Sequence, residues 1–210
     1  MNKNQQALAH ALNELATMEQ ILGKNHPALA TYYNNLSNIY QDMKRLPEAL
    51  EYGLKDIAAT EKALGKKHPD LAISYNNVSN IYQAMGQLTK ALTCIRKGIA
   101  IQEAVFGENH PDLAIPYNNI STIYIALRRF PKALEYALKD IAICEKVLSK
   151  NHPDLATSYG NIAVLYYQME DMTQAKDYLA RAISIMRRNF PKGHPYLTAM
   201  LQLRADINKM

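Results

Sequence analysis

The chain is poor in cysteine and glycine and has no catalytic signature. Its 2 cysteines, Cys94 and Cys144, lie far apart with no CxxC and no histidine in register. That pattern excludes a disulfide framework and a zinc site, and it suits two reduced thiols in a cytoplasmic protein. The 8 glycines and 9 prolines recur at set places, which argues against disorder. No apolar run approaches the roughly 18 residues a membrane span needs. The opening Met1-Asn2-Lys3-Asn4-Gln5-Gln6 lacks the apolar core of a signal peptide. The expected location is therefore the cytoplasm, for this chain or for a longer protein of which it is a piece. A Gly-rich phosphate loop, GxSxG and HExxH are all missing, so neither an enzyme nor a cofactor or metal site is expected. The net charge of +5 is carried by scattered lysines and arginines, so neither nucleic acid nor membrane is an expected partner.

What the chain does contain is a period. His-Pro recurs at His26, His68, His110, His152 and His194, each 42 residues from the next. A fixed period of that length marks a helical repeat array, in which each unit buries its apolar face on its neighbours rather than in one central core. Four full repeats follow, 26–67, 68–109, 110–151 and 152–193. Residues 1–25 match the second half of a repeat, a lone second helix with Leu8, Leu12, Leu15 and Leu22 at helical spacing.

Each repeat reads as helix A, a short turn and helix B. Pro after His suits the first helical turn, where no N–H is needed, and Asp70, Asp112 and Asp154 suit its positive end. Leu29, Tyr33, Leu36 and Tyr40 form one buried stripe on helix A. Helix B is expected to bury Ala49, Leu50, Ile57 and Leu64, with Thr89 and Thr173 as N-caps in two repeats. The loops at Gly65-Lys66, Gly107-Glu108 and Ser149-Lys150 end it. In residues 194–210, Arg204 replaces the apolar Leu36, and Asp206 and Asn208 replace Val164 and Tyr166. Such a polar face suits a capping helix and a true end of the array.

The run His68-Pro69-Asp70-Leu71-Ala72, Tyr75-Asn76-Asn77-Val78-Ser79-Asn80-Ile81-Tyr82, Gly86, Ala91-Leu92, Glu103 and Gly107 resembles the tetratricopeptide repeat family. It is most similar to the 42-residue branch represented by the kinesin light chains. The resemblance covers nearly the whole chain and implies an all-α, right-handed solenoid of helix-turn-helix repeats. It also implies that the A helices line a concave groove holding a peptide or a partner's surface. There are departures. Only Gly86 keeps the turn glycine; Lys44, Arg128 and Glu170 replace it elsewhere. The usual small alanine late in helix B becomes Asp56, Gly98 and Asp140, with Ala182 alone kept. The two aspartates there need either a local partner or a less crowded contact. Members of the family that clamp a terminal carboxylate use groove lysines and arginines, which this chain lacks at the matching positions.

Thr31, Asn34, Asn38 and Gln41 share a helix A face separate from the tyrosine stripe. By resemblance it points into the groove. The next repeats place Ile73, Asn76, Asn80 and Gln83 there, then Ile115, Asn118, Thr122 and Ile125. The last repeat places Thr157, Gly160, Val164 and Tyr167 there, with Asn161 beside them and Gly160 leaving a gap. The early half is amide-rich and could pair with the backbone of an extended peptide. The later half is apolar and could seat a hydrophobic side chain. Amide bonds at about 0.5–1.5 kcal/mol each and a Leu-sized anchor at about 1.5–3 kcal/mol, less ordering costs, imply micromolar affinity.

Other assignments stand beside this one. Asn35, Asn77, Asn119 and Asn161 could instead bond between adjacent helices and hold the stack. The recurring tyrosines read as packing residues, and the five histidines as helix caps or loop packing rather than metal ligands. Leu54 and Leu138 either form an apolar patch on the convex side or fill space left by Gly53 and Ala137. The resulting expectation is a scaffold that binds an extended segment of a protein partner. The alternative is a structural or self-associating segment that uses the half-repeat at 1–25 or the convex face.

Overall fold

The computed structural model describes residues 3–24 and 26–209. Ten α-helices follow in order: α1 Lys3–Leu22, α2 Ala30–Asp42, α3 Leu46–Leu64, α4 Pro69–Ala84, α5 Leu88–Phe106, α6 Ala114–Ala126, α7 Phe130–Val147, α8 Pro153–Gln168, α9 Met172–Asn189 and α10 Pro195–Ile207. There is no strand among the described residues. The chain is an all-α solenoid-type array, and α2/α3, α4/α5, α6/α7 and α8/α9 are its helix A/helix B pairs. It gathers into two compact units, Met1–Gly107 and Glu108–Met210.

The period is written at the helix starts. The Nδ1 of His26, His68, His110, His152 and His194 accepts the backbone N–H two residues on, at 3.1–3.3 Å. Each histidine thus satisfies one of the orphan donors of the helix it precedes. In the first and third repeats the His-Pro turn winds as a short 3₁₀ segment, Pro27–Leu29 and Pro111–Leu113, before the α-helix.

Helix A ends the same way four times. Lys44, Gly86, Arg128 and Glu170 all take positive φ, between 56° and 72°. In the first repeat Arg45 N–H bonds Tyr40 O and Lys44 N–H bonds Gln41 O; the same pair recurs at Gly86-Gln87, Arg128-Arg129 and Glu170-Asp171. This Schellman closure needs a left-handed residue whether or not glycine is present. It also fixes where helix B starts. The N-cap positions are Arg45, Gln87, Arg129 and Asp171. Thr89 and Thr173 therefore lie inside the first turns of α5 and α9, and the cap expected of Thr173 is supplied by Asp171, whose Oδ1 accepts from Gln174 N–H at 3.1 Å.

Within a pair, a hydroxyl ties A to B. Ser37, Ser79 and Ser121 are buried and donate to the carbonyls of Ala49, Ala91 and Ala133 at 2.8–2.9 Å. The core of the first unit gathers Leu29, Tyr33, Leu36, Tyr40, Ala49 and Ile81, with Ala11 and Leu15 of α1 packed on it. In the second unit Leu113, Tyr117, Ile120, Ile123 and Leu165 are fully buried. Each such aliphatic side chain contributes about 1.5–3 kcal/mol. Ala49 is buried as expected and Leu50 and Ile57 are half-buried. Leu64 is 47% exposed, because α3 closes at Gly65 before another element covers it.

The tyrosines are packing residues. Tyr52 stacks on Tyr40 and tilts against Tyr33; Tyr136 and Tyr178 do the same with Tyr124/Tyr117 and Tyr166/Tyr159. Cys94 occupies the matching place in the second repeat. In α10 the buried residues are Leu197, Met200 and Ile207, while Arg204 is exposed.

Candidate functional site

The helix A positions singled out in the sequence are exposed or half-buried, except Gly160, which is buried. In the first unit Thr31, Asn38 and Ile73 are exposed, with Asn34, Gln41, Asn76, Asn80 and Gln83 half-buried around them. Ile73 keeps 51% of its surface in solvent. In the second unit Ile115 is 68% exposed, with Thr157 and Val164 also open and Asn118, Thr122, Ile125, Asn161 and Tyr167 half-buried. The two units thus divide the set by chemistry, with amides prevailing in the first and apolar residues in the second.

The paired asparagines are wired together within each unit. Asn77 Nδ2 donates to Asn34 Oδ1 at 3.1 Å, and Asn161 Nδ2 donates to Asn118 Oδ1 at 3.0 Å. The second Asn of one repeat therefore struts back to the first Asn of the repeat before it. Asn118 also donates to Asp140 Oδ2 at 2.9 Å, so both ends of its amide are in use. The Asn34 oxygen and both ends of the Asn118 carboxamide are thus engaged within the array. The exposed side chains beside them carry the face's free chemistry.

The gap expected at Gly160 is closed. Tyr196 Oη of α10 sits against it, and a Cβ there would lie 2.6 Å from Met200 Cε. The same hydroxyl donates to Thr157 O at 3.0 Å and to Asn161 Oδ1 at 3.4 Å. Burial pushes the Tyr196 phenol up to about 12. The glycine makes room for the last helix to dock, and no open space remains for a ligand.

Asp56 and Asp140 have local partners. Thr60 donates to Asp56 Oδ1 at 3.0 Å, and the Cys144 thiol donates to Asp140 Oδ1 at 3.2 Å. Ser74 and Ser158 lie against the two carboxylates in the same register. Both acids are buried, at 5% and 2% exposure. Burial pushes their pKa values above the usual carboxylate range, and the nearby Asp70 and Asp154 push the same way. Burial also raises the Cys144 thiol, to about 12, which favours the protonated form.

Leu54 and Leu138 are 45% and 43% exposed. Leu54 does not fill space beside Gly53. A Cβ on Gly53 would lie 2.8 Å from Val78 Cγ2 and 3.2 Å from Ser37 Oγ, so that space is already taken. Among the described residues no group of three or more His, Cys, Asp or Glu is placed to hold a metal, and no helix is long and apolar enough to cross a membrane.

Two features of this layout were missed by sequence reasoning. The serine clamps were visible only as a repeated Ser at positions 37, 79 and 121. The docking of Tyr196 on Gly160 had a signal in the loss of Asn at that one position.

The tetratricopeptide repeat model matches residues 1–62, 33–104, 70–139 and 141–188. Among solved structures, BtubC (BKLC) from P. vanneervenii is 21% identical with a TM-score of 0.76, over 100% of this chain and 87% of that one. A putative kinesin light chain with nearly identical TPR-like repeats from Podosopora anserina is 23% identical with a TM-score of 0.76, over 89% of this chain and 88% of its own. The apo form of RapI is 17% identical at the same TM-score, covering 90% of this chain and 67% of its own. No curated protein matches. The helix pairs, their 42-residue spacing and these matches agree: the chain belongs to the tetratricopeptide repeat family, with the fold of its kinesin-light-chain-like members.

Proposed function

We propose that this protein is a non-catalytic interaction scaffold that takes an extended segment of a protein partner along the exposed faces of its A helices. One observation carries the reading. Ile73 in the first unit and Ile115 in the second stand 51% and 68% in solvent, each on a helix A face that carries threonines and amides of its own unit. Most aliphatic residues of the A helices are buried or half-buried, and these two are the most exposed of them. Covering one such side chain is worth about 1.5–3 kcal/mol, enough to anchor a segment once its ordering cost is met. Thr31 and Asn38 accompany Ile73 in the first unit, and Thr157 and Val164 accompany Ile115 in the second; they would set the register of the segment bound to each. Ile125 and Tyr167 extend the apolar side in the second unit.

The test is a selection from a random display library of extended peptides. Clones enriched on the wild-type protein are then challenged with the Ile73→Asp, Ile115→Asp variant. The reading expects enrichment that the variant abolishes while its helicity and melting are retained. Equal enrichment on both proteins contradicts it.

A further inference from the structure

The two units contain the same cavity. In the first, Asp56 forms the floor of a cavity of about 460 Å³ whose walls include Asn34, Asp70 and Ser74. In the second, Asp140 forms the floor of one of about 440 Å³ with Asn118, Asp154 and Ser158. Each of these residues lies 84 positions from its counterpart, which is two repeats. The intervening repeat has Gly98 at the floor position and the last has Ala182, so among the four full repeats the aspartate alternates. The surrounding helix B motif is doubled as well: Ala49-Leu50-Glu51-Tyr52 and Leu54-Lys55-Asp56-Ile57 recur as Ala133-Leu134-Glu135-Tyr136 and Leu138-Lys139-Asp140-Ile141.

The lining has one sign of charge. The first cavity has two aspartates and the second three, and neither is lined by Lys, Arg or His. This holds in a chain whose net charge is +5. The lining also carries aliphatic side chains: Leu64 and the exposed Ile73 in one, Val147, Leu148 and the exposed Ile115 in the other. The floor carboxylates keep spare acceptor capacity. A carboxylate offers about four lone-pair sites; Thr60 and Ser74 use two of those on Asp56, and Asn118, Cys144 and Ser158 use three on Asp140. A buried carboxylate in such surroundings costs free energy until a cation reaches it.

We propose that each cavity receives one basic side chain, an ammonium or guanidinium at the end of an aliphatic stem, from the segment bound along the A helices. The proposal rests on the scaffold reading and adds the chemistry of its partner. The stem lies on the aliphatic side chains and the charged head reaches the floor aspartate, the usual division of a Lys or Arg side chain between apolar wall and polar end. Asp70 and Asp154 at the neighbouring helix starts add the same sign of field. Ile73 and Ile115 stand at the mouths, so the aliphatic anchor contacts and the cation sockets lie side by side.

The probe is n-butylammonium chloride, with n-butanol as its uncharged isostere, titrated into the ¹⁵N-labelled full chain. Amide shifts at Asp56, Ser74, Asp140 and Ser158 are expected to saturate with n-butylammonium, and n-butanol should bind at least about tenfold more weakly. Asp56→Asn should remove the response of the first cavity and leave the second as an internal control; Asp140→Asn should do the reverse. If either variant fails to fold, the wild-type comparison of the two probes decides alone. Equal responses to both probes, or no saturable response to n-butylammonium, overturn the inference. Library peptides that bind through Ile73 and Ile115 without basic residues would then leave the scaffold reading standing by itself.

Discussion

Asn77 donates its side-chain amide to Asn34 Oδ1 at 3.1 Å, and 84 residues later Asn161 makes the same bond to Asn118 at 3.0 Å. The motif that looks like a ligand-reading row is in part a set of struts between successive A helices. Replacing Asn77 with Ala leaves the Asn34 oxygen half-buried without this donor, and should cost about 1 kcal/mol. Urea denaturation measures it, and a double-mutant cycle with Asn34→Ala should recover a clear coupling between the two sites. Strictly additive losses would mean the bond does not hold the stack.

Lys44, Arg128 and Glu170 are forced to positive φ by the Schellman closure of their helices. A side chain in that conformation costs roughly 1 kcal/mol or more. Each change to Gly should stabilise the protein by up to about 1 kcal/mol, less what glycine's unfolded-state freedom takes back. Gly86→Ala should destabilise it by a similar amount. Thermal or urea melts of the four variants check the signs.

Asp56 and Asp140 are held above the usual carboxylate range, chiefly by burial. The folded state therefore binds their protons more tightly than the unfolded chain does. Their contribution to stability is fully present below the unfolded pKa of about 3.9 and is lost as pH rises through the raised folded values. At neutral pH each is a cost. Asp56→Asn and Asp140→Asn should thus stabilise the protein at pH 7, and the gain should shrink as pH falls through the folded pKa. A gain that grows in acid would reverse the assignment.

Gly160 accepts the docking of α10. Gly160→Ala places a methyl group against Tyr196 Oη and Met200 Cε. Overpacking of this kind costs about 1–3 kcal/mol, and here it should be relieved by loosening α10. Hydrogen exchange is expected to rise across Pro195–Ile207 more than in α2–α5. Uniform protection would show that the contact tolerates the added group.

The helix pairs were readable because each repeat carries its own punctuation. His-Pro caps a helix through a contact two residues away, and the tyrosine stripe follows from helical spacing alone. What a single helix wheel cannot show is a bond across 43 residues. Asn77 and Asn161 read as candidates for bonding between adjacent helices, and they do so, but the sequence did not show that their acceptors are Asn34 and Asn118. Gly160 looked like a gap because the helix that fills it lies 36 residues on. Thr89 and Thr173 were misplaced as caps because the left-handed closure, present even at Lys44 and Glu170, sets the start of helix B two residues sooner. Asp56 and Asp140 find one partner a helical turn on, Thr60 and Cys144, and others on neighbouring A helices, Ser74 for Asp56 and Asn118 and Ser158 for Asp140, which a single helix does not show.

The central claim is that the exposed aliphatic residues of the A helices hold a partner segment. The most direct measurement is the Kd of a library-selected fluorescent peptide for the wild-type protein and for Ile115→Asp, by anisotropy, with melting followed in parallel. A micromolar Kd that weakens by about tenfold or more, at unchanged melting temperature, is the predicted result. An unchanged Kd for the well-folded variant would contradict the account.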